Sequence, residues 1–240
     1  MTLDFFNTLA QHLDAGQPVV VATIVRGEPG MIGKHLLISR QSGAAGDIAA
    51  PDLAAFLQQQ APAFFARERS EILPFGEMEI FFESIFPAPK LIIIGAVHIA
   101  IPLATIAKTL DYQVILIDPR GAFATAERFP HVDRLVRQWP EEALQEIGLD
   151  AGSCMVILTH DAKLDDPALK FALQHQPAYI GVLGSKRTHE KRMARMKAAG
   201  FTEEQLKRVH APVGLELGAS TPAEIALSIA AEMVAVRRRQ

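Results

Sequence analysis

The sequence predicts an α/β protein: a small N-terminal α+β domain followed by a Rossmann-like domain built on a parallel sheet. Three observations carry that reading. In the second part of the chain, short apolar runs alternate with longer amphipathic stretches, the pattern of strands buried on both faces and crossed over by helices. Charge is spread unevenly, with 5 basic and 10 acidic side chains in residues 1–89 against 19 and 17 in residues 90–240. Pro87-Ala-Pro89 stands where the composition changes, and two close prolines end regular structure and favour an extended connector. The domains are therefore expected at 1–87 and 88–240.

In the first domain, Leu3, Phe6, Leu9, Ala10 and Leu13 recur at helical steps until Gly16 and Pro18 stop them. Val19–Val25 is rich in β-branched residues and reads as a buried strand. The glycines and Pro29 of Arg26–Gly33 make a loop, Lys34–Ser39 a second strand, and Ser42–Gly46 a turn. Leu53–Gln60 is expected to form a short helix and Glu77–Phe86 an edge-type strand.

In the second domain, Lys90-Leu-Ile-Ile-Ile-Gly95 is a strand with a helix behind it to about Leu110. Gln113–Asp118, Cys154–Thr159 and Ala178–Leu183 are further strands. Asp166-Pro167 predicts a helix start, with Asp as N-cap and Pro at the first helical position. Lys186–Ala199 is helical, and Thr221-Pro-Ala-Glu224 is a capping box that opens a last helix through Arg238. Right-handed crossovers between such strands give a Rossmann-like sheet.

Composition removes several function classes. The chain has 240 residues, 49% hydrophobic and 21% charged, which is a globular composition. Its one cysteine, Cys154, excludes a disulfide framework and a multi-cysteine zinc site, and suits the cytoplasm; a buried strand residue is its simplest reading. No apolar run reaches the roughly 18 residues of a membrane span. Met1-Thr-Leu-Asp-Phe-Phe6 lacks the basic start of a signal peptide. A net charge of −3 gives no drive toward nucleic acid or a membrane surface. A twofold homodimer is the default assembly.

Ligands of such sheets lie beyond the carboxyl ends of the strands, and four of these ends carry polar residues. Gly95-Ala-Val-His-Ile-Ala100 keeps the first and last small residues of a dinucleotide fingerprint, but Val97 stands where the second glycine should admit a pyrophosphate. Ordinary NAD(P) binding is thereby disfavoured, although Asp118 follows Gly95 by 23 residues, as a ribose-binding acid would. His98 opens the following helix. In Asp118-Pro-Arg120 the guanidinium offers a planar fork to a carboxylate or phosphate, or closes on its own aspartate. Thr159, His160, Asp161 and Asp165 exceed what capping one helix requires; they could orient a ligand, transfer protons or hold a hard metal. Gly184-Ser185-Lys186-Arg187 places two cations in a first helical turn, against the macrodipole, which a bound anion would reverse. Met193 and Met196 read as packing, and Arg237–Arg239 as a run suited to a helix end.

Taken together, these strings resemble the XdhC/CoxI family of xanthine and carbon monoxide dehydrogenase accessory proteins. The likeness runs through Leu91–Ala100, Asp118-Pro-Arg120, Arg128-Phe-Pro130, Thr159–Leu169 and Tyr179–Arg187. It continues in Gly200–Glu204, His210–Leu215 and Thr221–Val236. Val20–Val25 and Gly30–Lys34 extend it into the first domain. The resemblance implies a small N-terminal domain with a Rossmann-type partner, and a non-catalytic maturation chaperone that binds molybdopterin, the molybdenum cofactor, as cargo. It implies two protein partners, an apo molybdenum hydroxylase of xanthine dehydrogenase type and a cysteine desulfurase. Gly184–Arg187 would take the cargo's phosphate, Asp118 a hydroxyl or ring N–H, and the Thr159–Asp165 loop would orient the rest. No resident metal is expected. The chain departs from the family in Asp47-Ile-Ala-Ala-Pro51, where family members carry Gly-Gly-Cys, so no thiolate is offered to molybdenum there. It departs again in Val97 for glycine and Ala162 for histidine.

Two other classes remain open on the residues alone. One is an NAD(P)-dependent oxidoreductase with His160 or Asp161 as acid–base. The other is a scaffold that only docks a dehydrogenase.

Overall fold

A computed structural model of the chain describes residues 3–40, 43–48, 50–65, 68–150 and 152–239. They form two compact units, one ending at Ala88 and one spanning Pro89–Arg239.

The first unit is an antiparallel sheet with a helix on each face. Its strands are β1 (Val19–Arg26), β2 (His35–Ser39), β3 (Gly43–Gly46), β4 (Ser70–Phe75) and β5 (Met78–Ile85), ordered β3-β2-β1-β5-β4. Helix α2 (Pro51–Phe64) lays Leu53, Leu57, Ala61 and Phe64 on Val20, Ala22, Ile24, Ile80 and Phe82. The alternate residues Val19 and Val21 face the other way and meet Phe5 of α1 (Leu3–Asp14). Strand alternation thus explains both layers.

Four expectations change here. The inward side of α1 is Phe5 and Leu9, while Leu3 and Phe6 are exposed. Helix α2 continues past Gln60 because Ala61 and Phe64 extend its apolar stripe. Gly43–Gly46 is a strand and not a turn, with Ser42 outside the described residues; at Gly46 a Cβ would stand 2.3 Å from the His35 carbonyl oxygen. Finally, β5 is interior, because β4 pairs beyond it. Pro74 masks β4 in the sequence, and an outermost strand tolerates it.

The second unit is a six-stranded, wholly parallel sheet in the order β11-β10-β9-β6-β7-β8. Its strands are β6 (Lys90–Ile94), β7 (Gln113–Ile117), β8 (Arg134–Val136), β9 (Cys154–Ile157), β10 (Tyr179–Val182) and β11 (Val209–His210). Numbered from β6, that order is 3-2-1-4-5-6 read from the β8 edge, the doubly wound Rossmann arrangement. Helices α3 (Ala100–Thr109) and α8 (Pro222–Arg239) cover one face, meeting Leu91, Ile93, Val114, Leu116 and Val156. On the other face, α4 (Pro140–Ile147), α5 (Ala162–His175) and α6 (Lys186–Ala198) cover Ile92, Ile94, Ile115, Ile117 and Ile157. Burial on both sides is why these strands read as unbroken apolar runs.

The edge strands β8 and β11 and the helices α4 and α7 (Glu203–Leu206) are too short or too polar to stand out in the sequence. Helix α5 also starts earlier than Asp166-Pro167. Asp161 caps it, accepting from the Lys163 N–H, and the N–H groups of Leu164 and Asp165 return to the Asp161 carbonyl. Pro167 therefore lies inside the helix, and Asp166 instead holds Arg195 through two hydrogen bonds. The capping box at Thr221 and Glu224 forms as the sequence predicts.

Phe82 is fully buried and stacked on Phe64, whereas Phe6 is 52% exposed. Phe82→Ala is expected to lower stability by about 3–5 kcal/mol in urea unfolding. Phe6→Ala should stay within roughly 0.5 kcal/mol, and a large loss there would refute the assigned inward side of α1.

Candidate functional site

A parallel sheet turns all its carboxyl ends to one edge, and a crevice opens where the strand order reverses. Here the reversal lies between β6 and β9. The loops there stand shoulder to shoulder, because the ladder continues one step past the strands. Gly95 donates to the Ile117 carbonyl, Leu158 to that of Ile94 and Leu183 to that of Ile157. Gly95, Asp118, Thr159 and Gly184 thus follow four neighbouring strand ends.

The loop after β6 is set by a close approach. Gly95 has φ +108°, and a Cβ on it would stand 2.5 Å from Thr159 Cγ2. The glycine is demanded by the neighbouring loop itself. Val97 packs partly against the core under α3, and His98 is exposed.

Asp118 is fully buried and saturated with donors. It accepts from the Ala96 N–H at 2.8 Å, from the Arg120 N–H at 2.9 Å, and from Arg120 Nε and Nη2 at 2.9 and 2.8 Å. Burial pushes this carboxyl up, but the hydrogen bonds from Arg120 and Ala96 outweigh it and hold it below the ordinary carboxylate value. Arg120 is raised in turn, chiefly by its hydrogen bond to Asp118, and its guanidinium lies 4.9 Å from the Phe123 ring centre. Asp118 is therefore a joint between the β6 and β7 loops, and no oxygen of it is left for a ligand hydroxyl or ring N–H.

The loop after β9 is organised by a second buried carboxylate. Asp165, 1% exposed, accepts from Thr159 Oγ1 at 2.5 Å and from Arg192 Nη2 at 3.0 Å. Burial raises its pKa, against the pull of Thr159 and Arg192. Thr159 Oγ1 also accepts from the Asp161 N–H, and Asp161 is the cap of α5. Between them His160 is exposed in the left-handed region, at φ +64°, a strained conformation for a residue with a Cβ.

After β10, Gly184 leads into Ser185, the N-cap of α6, whose side chain accepts from the Thr188 N–H at 3.2 Å. The first turn of α6 holds no acid, and Lys186 and Arg187 are exposed. Arg192, buried and bonded to Asp165 beneath this turn, is a side chain that sequence reasoning passed over. It sits four residues before the buried Met196 on the inward side of α6, so a charged residue in that helix's apolar stripe was its signal.

The predicted residues therefore divide in two. Gly95, Asp118, Thr159 and Asp165 build the floor, where their polar groups bond within the protein, while Asp161 caps α5 and is exposed. His98, His160, Lys186 and Arg187 are exposed along the rim, with Arg120 partly so. Cys154 begins β9 at the opposite edge of the sheet, and burial pushes its thiol up to about 12. Met196 lies in the core and Met193 packs against it, as expected. A hollow of about 370 Å³ lies to one side, lined by Trp139, Glu141, Glu142, Gln145, Lys163 and Pro167, and includes none of the predicted residues.

Comparison with known proteins agrees with this architecture. A family model described as the XdhC Rossmann domain matches residues 91–233. A Bacillus subtilis (strain 168) protein named as a probable xanthine dehydrogenase subunit is 34% identical over 160 residues, which are 67% of this chain and 46% of that protein. The "molybdenum cofactor insertion chaperone PaoD" of Escherichia coli (strain K12) is 29% identical over 154 residues, 64% of this chain and 42% of that one. The chain thus spans less than half the length of these curated relatives. A crystal structure described as that of a xanthine dehydrogenase from Bacillus halodurans superposes with a TM-score of 0.78 at 25% identity, covering 98% of this chain and 67% of that one.

The Asp118 joint predicts an acid signature. Its carboxyl ionises below its ordinary value in the folded chain, so its contribution to stability is fully present above 3.8 and lost as pH falls through the lower folded value. Asp118→Asn is expected to lower stability by about 1–3 kcal/mol at pH 7, with the gap to wild type narrowing toward pH 3 in urea titrations. A gap independent of pH would show that the carboxylate's charge does not hold the joint.

Proposed function

The chain belongs to the XdhC family, and we propose that it serves the maturation of a xanthine-dehydrogenase-type molybdenum hydroxylase as a non-catalytic carrier of molybdenum cofactor. The observation that carries this reading is the β10–α6 turn. It is a helix N-terminus at the carboxyl edge of a Rossmann sheet, without a first-turn acid and with Lys186 and Arg187 exposed beside it. Helix N-termini bind anions through free N–H groups and the dipole, and molybdopterin carries a phosphate or a pyrophosphate-linked nucleotide. In this reading Gly184, Ser185, Lys186 and Arg187 receive that anion. Arg120, His98, His160 and Asp161 line the rest of the cargo's berth, over the floor of Gly95, Asp118, Thr159 and Asp165. The name of the PaoD relative supports cofactor insertion as the family's business. The apo-hydroxylase is then the recipient, and a cysteine desulfurase the enzyme that sulfurates the held cofactor.

The competing oxidoreductase reading needs an acid free to take a ribose hydroxyl. Asp118 holds that position with both oxygens engaged by four donors, which argues against it.

Purification from a host that makes molybdenum cofactor, followed by elemental analysis and fluorescence of the oxidised pterin, tests the carrier role. Near-stoichiometric pterin is expected, and Lys186→Ala/Arg187→Ala should lower its retention about tenfold, the effect of losing one or two charge-assisted contacts. Equal retention by the double variant removes the assigned anion berth, and absence of pterin from wild type removes the role. Calorimetry with millimolar NADH or NADPH is expected to show no binding.

A further inference from the structure

Arg192 has more donors than the protein gives it acceptors. Its side chain is 2% exposed, and Nη2 donates to Asp165. Nη1 and Nε are shut away from solvent and have no partner among the described residues. A buried polar group without a partner is destabilising, and most such groups mark a missing water, ion or ligand.

The position of that guanidinium says where the missing acceptor belongs. Helical side chains tilt toward the N-terminus, and Arg192 lies seven residues after Ser185, on the same side of α6. Its long stem runs back past Thr188 to Gly184. A Cβ placed on Gly184 would stand 3.6 Å from Arg192 Nη1 and 3.5 Å from Thr188 Cβ and Cγ2. These are ordinary contact distances, so the absent side chain leaves a methyl-sized space bounded by the guanidinium. Gly184, at φ +149°, sits directly before the N-cap of a 13-residue helix whose first N–H groups, those of Lys186 and Arg187, have no intrahelical acceptor. Donors therefore converge on one bend from beneath, from the helix end and from the cationic rim.

We propose that Arg192 is the buried anchor of a phosphate or pyrophosphate subsite at the Gly184 bend. The inference rests on the carrier role above and names the part of the cargo this turn takes. One anionic oxygen accepts from the idle Nη1 beside Gly184, and others take the N–H groups of Lys186 and Arg187. A tetrahedral, multiply charged group serves donors from several directions, which a planar carboxylate does less well. Asp165 keeps Arg192 aimed, so the anion meets an ordered donor.

The test is calorimetric titration of the full chain with inorganic pyrophosphate. Wild type is expected to bind. Arg192→Lys keeps the charge but loses the planar fork, and Gly184→Ala fills the space beside Nη1; each should weaken binding about tenfold or more, one charge-assisted hydrogen bond. Arg195→Lys, whose partner Asp166 lies outside the bend, should bind as wild type does. A second measurement needs no variant that might misfold: in ¹⁵N-arginine-labelled wild type, pyrophosphate should shift the protected Nε–H resonance of the buried guanidinium. No binding by wild type, equal affinity in folded variants, or an unmoved Nε–H signal would each overturn the assignment and leave water as the partner of these nitrogens. Pterin retained by a chain that ignores pyrophosphate would end this subsite and leave the carrier role standing. Pyrophosphate bound by a chain that retains no pterin would do the reverse.

Discussion

The carboxylate of Asp165 is the point from which the crevice is held. Through Thr159 it fixes the loop after β9, and the methyl of Thr159 is what the loop after β6 leans on at Gly95. Through Arg192 it fixes the inner side of α6 and so the bend at Gly184. One buried group thereby ties three strand ends and two helices into a single arrangement. A buried ion pair is weak evidence for stability, since desolvation offsets much of its attraction. Its value here lies in geometry: an arginine held by one nitrogen has the others set in known directions.

Asp118 repeats the device on the far side of the switch point. The Rossmann fold usually leaves an acid at this strand end to read a ribose. In this chain the acid is turned inward, where it fastens the β6 loop to the β7 loop and immobilises Arg120. The same residue in the same topological place therefore does different work once an arginine stands two positions later. Fold likeness alone would not have separated these roles. Saturation of the carboxylate by four donors does, because a group without a vacant lone pair recognises nothing.

The Rossmann unit was legible because its strands are buried on both sides, which writes five-residue apolar runs into the sequence. The first unit was less so, and each miss has a physical origin. β3 is Gly-Ala-Ala-Gly, exposed and defined only by backbone pairing, so it carries no hydrophobic period. β4 contains Pro74, which a sequence reading takes as a breaker and an outermost strand accepts. In α1, Phe6 and Leu3 offer a stripe as apolar as the one used, and only the packing of Phe5 against Val19, Val21 and Leu37 decides between them. Asp166-Pro167 imitates a helix start because its local chemistry is right. The helix was already nucleated by Asp161, whose side chain and carbonyl satisfy the first N–H groups.

At the site, the residue types were readable and their commitments were not. Sequence marks Asp118, Thr159 and Asp165 as polar groups at strand ends, but whether a lone pair faces a ligand or a neighbour depends on contacts between loops far apart in the chain. Arg192 shows the converse. It looked like one of many cations between Lys186 and Arg208, yet it is the one among the described residues of that stretch that shares the buried side of α6 with Met196. The floor's carboxylates are neutralised where they stand, Asp118 by Arg120 and Asp165 by Arg192. What the β10–α6 side presents outward is therefore cationic, from Lys186, Arg187 and the helix end, even though the crevice holds as many aspartates as arginines. A chain with a net charge of −3 can in this way offer a local berth for an anion, because pairing below removes the field of the two buried aspartates and leaves Asp161, the exposed cap of α5, as the acid among the predicted residues that faces the cations of the rim.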